Sequence, residues 1–175
     1  MISYILAIVC GLAVLGIDQY TKAYIVSHYT LAESHDFING FLDITYIHNQ
    51  GGAWGMLSGY TWILLSVTVL IMLICIAMLL KVGLKNKLMF WAVVLVMSGG
   101  IGNLIDRIFR NGNVVDFLHF TFMPNFPVFN VADCGVVIGA GLLILYFIIE
   151  MINDSRAKKR LMREPAASQD DISDD

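Results

Sequence analysis

Apolar residues gather into four long stretches, and the polar residues between them are unevenly spread. Residues 61–80 contain no ionisable group, and residues 88–105 are also free of charge. Each is close to the roughly 20 residues that a helix needs to cross the hydrocarbon of a bilayer. Residues 2–17 and 134–149 are uncharged runs of 16, short for a span unless a polar residue at one end is drawn in. The neighbours at one end are Asp18 and Asp133. The pattern predicts an all-α membrane protein, a bundle of four transmembrane helices over about 2–26, 61–80, 88–106 and 131–152. Two longer connections, 27–60 and 107–130, join them. Residues 41–48 and 114–122 are rich in β-branched and aromatic residues with partial alternation. They predict short strands and a small β-rich segment at the membrane surface.

Composition agrees with this division. Of 175 residues 58% are hydrophobic and 14% charged, and the mean hydropathy is +0.73, whereas a soluble domain carries about a quarter charged residues. A soluble globular protein is excluded. The net charge of −3 supplies no basic field, so no nucleic-acid partner is expected. Cys10, Cys75 and Cys134 lie in apolar runs without a CxxC and read as small buried hydrophobes, with no disulfide framework, metal site or cofactor implied.

Basic residues set the orientation. Lys81, Lys85 and Lys87, with five more in 156–163, make up 8 of the 11. Since cytoplasmic flanks carry the excess of Lys and Arg, both termini and the 81–87 link belong inside, and 27–60 and 107–130 outside. The first span has neither a basic leader nor an A-x-A cleavage site, so it is expected to be retained. Residues 153–175 turn from basic to acidic and are expected to form a disordered cytoplasmic tail, lacking apolar surface to bury.

On this topology Asp18, Lys22, Asp106, Arg107, Arg110, Asp116 and Asp133 converge at the outer end of the bundle. Carboxylates near hydrocarbon cost several kcal/mol and usually pair, face a cavity or mark a site. Each has a plainer reading. Asp18 and Lys22, four apart on one helical face, suit an ion pair anchoring the helix end. Asp106 and Arg107 suit an interfacial anchor with a snorkelling side chain. Asp133 suits a helix cap, and Asp116 a solvated strand position. Their convergence favours a site. Asn49, Asn103 and Asn130 accompany the acids and need partners if buried. Glycines at 99, 100 and 102, and Gly135 with Gly139, suit close helix approach. His28, His35, His48 and His119 are scattered, more as interfacial polar residues than as ligands.

Two carboxylates sharing one water cannot both ionise, so one can act as base and the other as acid in amide hydrolysis. The chain has no HExxH, no paired cysteines and no Ser-His arrangement at motif spacing. Asp116 and Asp133 form the best dyad by spacing, one in the outer connection and the other beginning the helix that follows. Intramembrane carboxylates also occur in proton-coupled transporters. A non-catalytic protein binding lipidated peptides would likewise keep such a pocket.

Asp18-Gln-Tyr-Thr-Lys22, Asn49-Gln-Gly-Gly-Ala-Trp54, Gly99-Gly-Ile-Gly-Asn-Leu-Ile-Asp-Arg107, Val114-Val-Asp-Phe117 and Phe129-Asn-Val-Ala-Asp133 resemble, in order, the motif boxes of the bacterial lipoprotein signal peptidases, signal peptidase II. The resemblance implies an intramembrane aspartic endopeptidase of the bacterial cytoplasmic membrane. Such an enzyme cleaves lipid-modified prolipoproteins before the diacylglyceryl cysteine, needs no metal or cofactor, and works in contact with membrane lipids, as a monomer on the one-chain site read here. Asp116 and Asp133 then correspond to the catalytic pair. Asp18, Lys22, Asn49, Gly51, Asn103, Asp106, Arg107, Asn130 and Ala132 correspond to positions that line or brace the site. Gly52 stands where alanine is frequent in the family and Trp54 where phenylalanine is usual, both on the outer segment expected to contact substrate.

Overall fold

The computed structural model describes residues 1–82 and 85–170. The chain forms four long helices, α1 (Ile2–His28), α2 (Thr61–Val82), α3 (Lys87–Phe109) and α4 (Val131–Asp170). Three short strands are added, β1 (Ser34–Ile38), β2 (Leu42–Asn49) and β3 (Val114–Phe120). All four helices are long and apolar enough to cross a membrane. Helix is the expected state of such segments, because hydrocarbon offers backbone groups no partner outside the chain. The first and last spans are completed as expected, by helices that take in Asp18 with Lys22 and Asp133.

α3 is the axis of the bundle, packing against α4, α1 and α2. Half of its apolar window is buried, against 6% for α2, whose main neighbour is α3. Asn86 caps the start of α3, its side chain accepting a hydrogen bond from the Met89 amide at 3.1 Å. One core cluster, Cys75, Met89, Val93, Val96 and Tyr146, joins α2, α3 and α4 at the end away from the strands. A second, Ile25, Tyr46, Val115 and Phe117, fixes the sheet on α1. Of the three cysteines only Cys75 is buried; Cys10 and Cys134 are partly exposed, contrary to the sequence reading, Cys134 because it borders the cavity described below.

The strands make one antiparallel sheet in the order β1-β2-β3. β2 and β3 match the two expected strands. β1 was not expected: its Ser-His-Asp-Phe-Ile run is exposed throughout and lacks alternation, and hairpin pairing with β2 makes it a strand. α3 passes into β3 through Asn111 and Gly112, both left-handed at φ 53° and 86°. That reversal turns the chain back under the helix, so that the Val115 amide donates to Asp106 at 3.0 Å.

α4 runs on to Asp170, so much of the 153–175 segment has helical backbone, and residues 171–175 lie outside the described residues. Residues 156–163, Arg-Ala-Lys-Lys-Arg-Leu-Met-Arg, are good helix formers. Lack of a core does not stop a span from continuing as helix beyond its apolar part.

Candidate active site

Where the sheet meets the ends of α1, α3 and α4, polar side chains are buried in an otherwise apolar molecule. Asp18, Lys22, Asp106 and Asn130 are 0% exposed and Asp116 1%. Lys22, from α1, is the hub. Its ammonium lies 3.0 Å from Asp18 and 3.2 Å from Asp106, and donates to the Asn103 side-chain oxygen at 3.0 Å. Its three protons therefore have three acceptors, the condition for holding an ammonium out of water. Asp18 also accepts from the Ala132 amide at 2.9 Å, tying α1 to the first turn of α4. Gln19 donates to Asp18 at 3.0 Å and to the Gly102 carbonyl at 3.1 Å. A side chain at Gly102 would meet Asp18 Oδ2 at 2.6 Å, so glycine is what admits the carboxylate between α1 and α3.

Three asparagines extend this network to Asp116 and Asp133. Asn103 donates to Asp133 Oδ1 at 2.7 Å. Asn130 donates to Asp116 Oδ1 at 2.6 Å and to Asn103 Oδ1 at 3.0 Å, while its side-chain oxygen accepts from the Asp133 amide at 3.0 Å. The Asn130 amide in turn donates to Asp133 Oδ2 at 3.1 Å, an N-terminal cap on α4. Asn130 thus touches both acids, holding one by its side chain and the other by a reciprocal cap. Asn49, from the end of β2, donates to Asp116 Oδ2 at 2.7 Å, and its own oxygen accepts from the Gly51 amide at 3.0 Å. Burial first, then the charge of Asp133, pushes the Asp116 carboxyl from its ordinary 3.8 up to about 7, against the opposing pull of the Asn49 and Asn130 amides.

The acids border a cavity of about 520 Å³ with mostly apolar walls, among them Phe126, Phe129, Val136 and Val137. Arg107 lines it too. One guanidinium nitrogen reaches the Asn103 carbonyl at 3.4 Å, while its Nε is buried and makes no hydrogen bond among the described residues. Together Asp18, Asp106, Asp116 and Asp133 face Lys22, Arg107 and Arg110, the last 3.2 Å from Asp106. Four carboxyls thus stand against three cations.

The acids, Lys22, Arg107, the three asparagines, Gly51 and Ala132 expected from the sequence to form or brace a site come together here. Asp18 and Lys22 do form the helical ion pair, but buried and shared with Asp106. Asp133 does cap α4 and also borders the cavity. Gln19 and the aromatic wall from residues 126 and 129 were not anticipated; only the position of Gln19 beside Asp18 hinted at it. The histidines are apart from the dyad: His28 stacks on Tyr24, His35 pairs with Glu33, and His48 shares a 2.8 Å hydrogen bond with the Tyr46 hydroxyl. Among the described residues no group of three or more His, Cys, Asp or Glu is placed to hold a metal ion.

Residues 10–149 match the family described as signal peptidase (SPase) II. The lipoprotein signal peptidase of Bacillus pumilus is 39% identical over 151 residues, spanning 86% of this chain and 94% of that protein. The one from Halalkalibacterium halodurans is 37% identical over 161 residues, 91% and 97% of the two chains. A solved structure described as a bacterial membrane enzyme superposes with a TM-score of 0.79 at 34% identity, covering 85% of this chain and 90% of its own.

Proposed function

The chain belongs to the signal peptidase II family of bacterial multi-pass membrane proteases, and from that premise we propose that it removes signal peptides from prolipoproteins with Asp116 and Asp133 as its catalytic pair. The observation that carries this reading is the joining of the two buried acids through Asn130, beside an apolar-walled cavity. An apolar wall suits a substrate carrying acyl chains, since each buried CH₂ contributes about 0.8 kcal/mol and a lipidated peptide stays in the bilayer.

The reaction follows from one proton shared by two carboxyls. The ionised one takes a proton from water as the water oxygen bonds to the carbonyl carbon of the residue before the modified cysteine. The protonated one donates a hydrogen bond to the carbonyl oxygen. As the C–N bond breaks, the cysteine nitrogen receives a proton from the pair. The products are a signal-peptide carboxylate and a diacylglyceryl cysteine with a free amino group. Arg107, whose side chain lines the cavity, offers a guanidinium donor to a substrate carbonyl. Asp18 and Asp106 hold Lys22, which donates to Asn103, which holds Asp133. These are positioning roles. The site operates at the outer leaflet, in a monomer.

The test is cleavage of a diacylglyceryl-modified prolipoprotein by purified Asp116→Asn and Asp133→Asn variants. Each is expected to lose essentially all turnover, because neither pair retains both an acid and a base. Near-normal turnover by either variant would overturn Asp116 and Asp133 as the catalytic pair.

A further inference from the structure

A second concavity, of about 410 Å³, lies on the strand side of the first and shares its walls: Asn49, Gly52, Trp54, Phe126, Pro127 and Val128 border both. The two differ in chemistry. The first continues along α4 through Val136, Val137 and Ile138. The second is bordered instead by His48, Gln50, Ser58, His119 and Asn125. Among the described residues the side chains of Gln50, His119 and Asn125 make no hydrogen bond with the protein, so their donors and acceptors are open to a ligand. Between the cavities stands Trp54, left-handed at φ 55°, its indole N–H donating to the Asn125 carbonyl at 3.1 Å. That contact ties the segment before α2 to the loop after β3. Asn49 belongs to both cavities and holds Asp116, so the second cavity adjoins the acids through Asn49.

We propose that the second cavity is the subsite for the first residues after the modified cysteine, an extended peptide with polar side chains. The inference rests on the peptidase reading above. A signal sequence and acyl chains match the apolar cavity, and the hydrophilic segment beyond the cysteine matches open amide and imidazole groups. Trp54, flanked by the two cavities, marks the passage from one to the other.

The experiment compares two synthetic diacylglyceryl substrates, one ending at the cysteine as an amide and one extended by four polar residues. Wild type is expected to show the lower KM for the extended peptide. A Gln50→Ala/His119→Ala variant is expected to raise that KM about tenfold with kcat unchanged, and to treat the short substrate as wild type does. Retained turnover of the short substrate also reports that the variant is folded. Equal KM values for the two substrates in wild type, or an equal rise for both in the variant, overturn the subsite while leaving the peptidase intact. If wild type cleaves neither, the peptidase reading falls and the subsite with it.

Discussion

Asp116 is pulled in opposite directions: two amides favour its charged form, while burial and the charge of Asp133 oppose it more strongly. A carboxyl raised to about 7 in the folded chain, from an ordinary 3.8, adds stability that is complete below about pH 3.8 and is lost as pH rises to about 7. The thermal midpoint in detergent is therefore expected to fall across that window, and an Asp116→Asn variant to show a shallower fall. In the same molecule the cleavage rate is expected to decline above about pH 7, where the pair loses its shared proton. A pH–rate profile that stays flat far into the alkaline range contradicts this. At this scale much was legible in the sequence. A carboxylate or a carboxamide in an apolar chain has to find a partner, so Asp18, Asn103 and Asn130 announced themselves. What could not be read was who partners whom. Asn130 reaches Asp116 from another element, and Lys22 serves Asp106 as well as its helical neighbour Asp18.

Among elements, helix contacts are governed by what is missing from their surfaces. Gly102 leaves room for the Asp18 carboxylate, which Lys22, Gln19 and the Ala132 amide already hold in place. A methyl group there meets atoms that cannot yield cheaply. Gly102→Ala is expected to cost about 1–3 kcal/mol, the usual penalty for overpacking. Gly16→Ala, on α1 with nothing within 4 Å of the added carbon, is expected to be neutral or to stabilise by about 0.5–1 kcal/mol. Thermal unfolding of the two variants in one detergent checks this, and equal midpoints would contradict the close approach. The four helices were legible because a bilayer imposes a length on apolar runs. β1 was not, because an exposed edge strand has no buried face to impose alternation. The extent of α4 was also hidden, since helix propensity outlasts the apolar run that marks the span.

For the whole molecule, the bias of Lys and Arg is the ground on which we propose that the bundle lies with its strands and acids at the outer face. A reporter that fluoresces only when folded in the cytoplasm, fused after Asp175, is expected to be bright, and one that needs export, inserted between β1 and β2, active. The reverse pattern would invert the protein in the membrane and place the dyad on the inner side. α2 adds a constraint of another kind. With 6% of its apolar window covered by protein, chiefly by α3, most of its apolar surface is left to whatever amphiphile surrounds it. The surrounding amphiphile is then in effect a structural component. Replacing it during purification changes the material of one wall of the bundle, and the segment bearing Trp54, which leads directly into α2, is tethered to that wall.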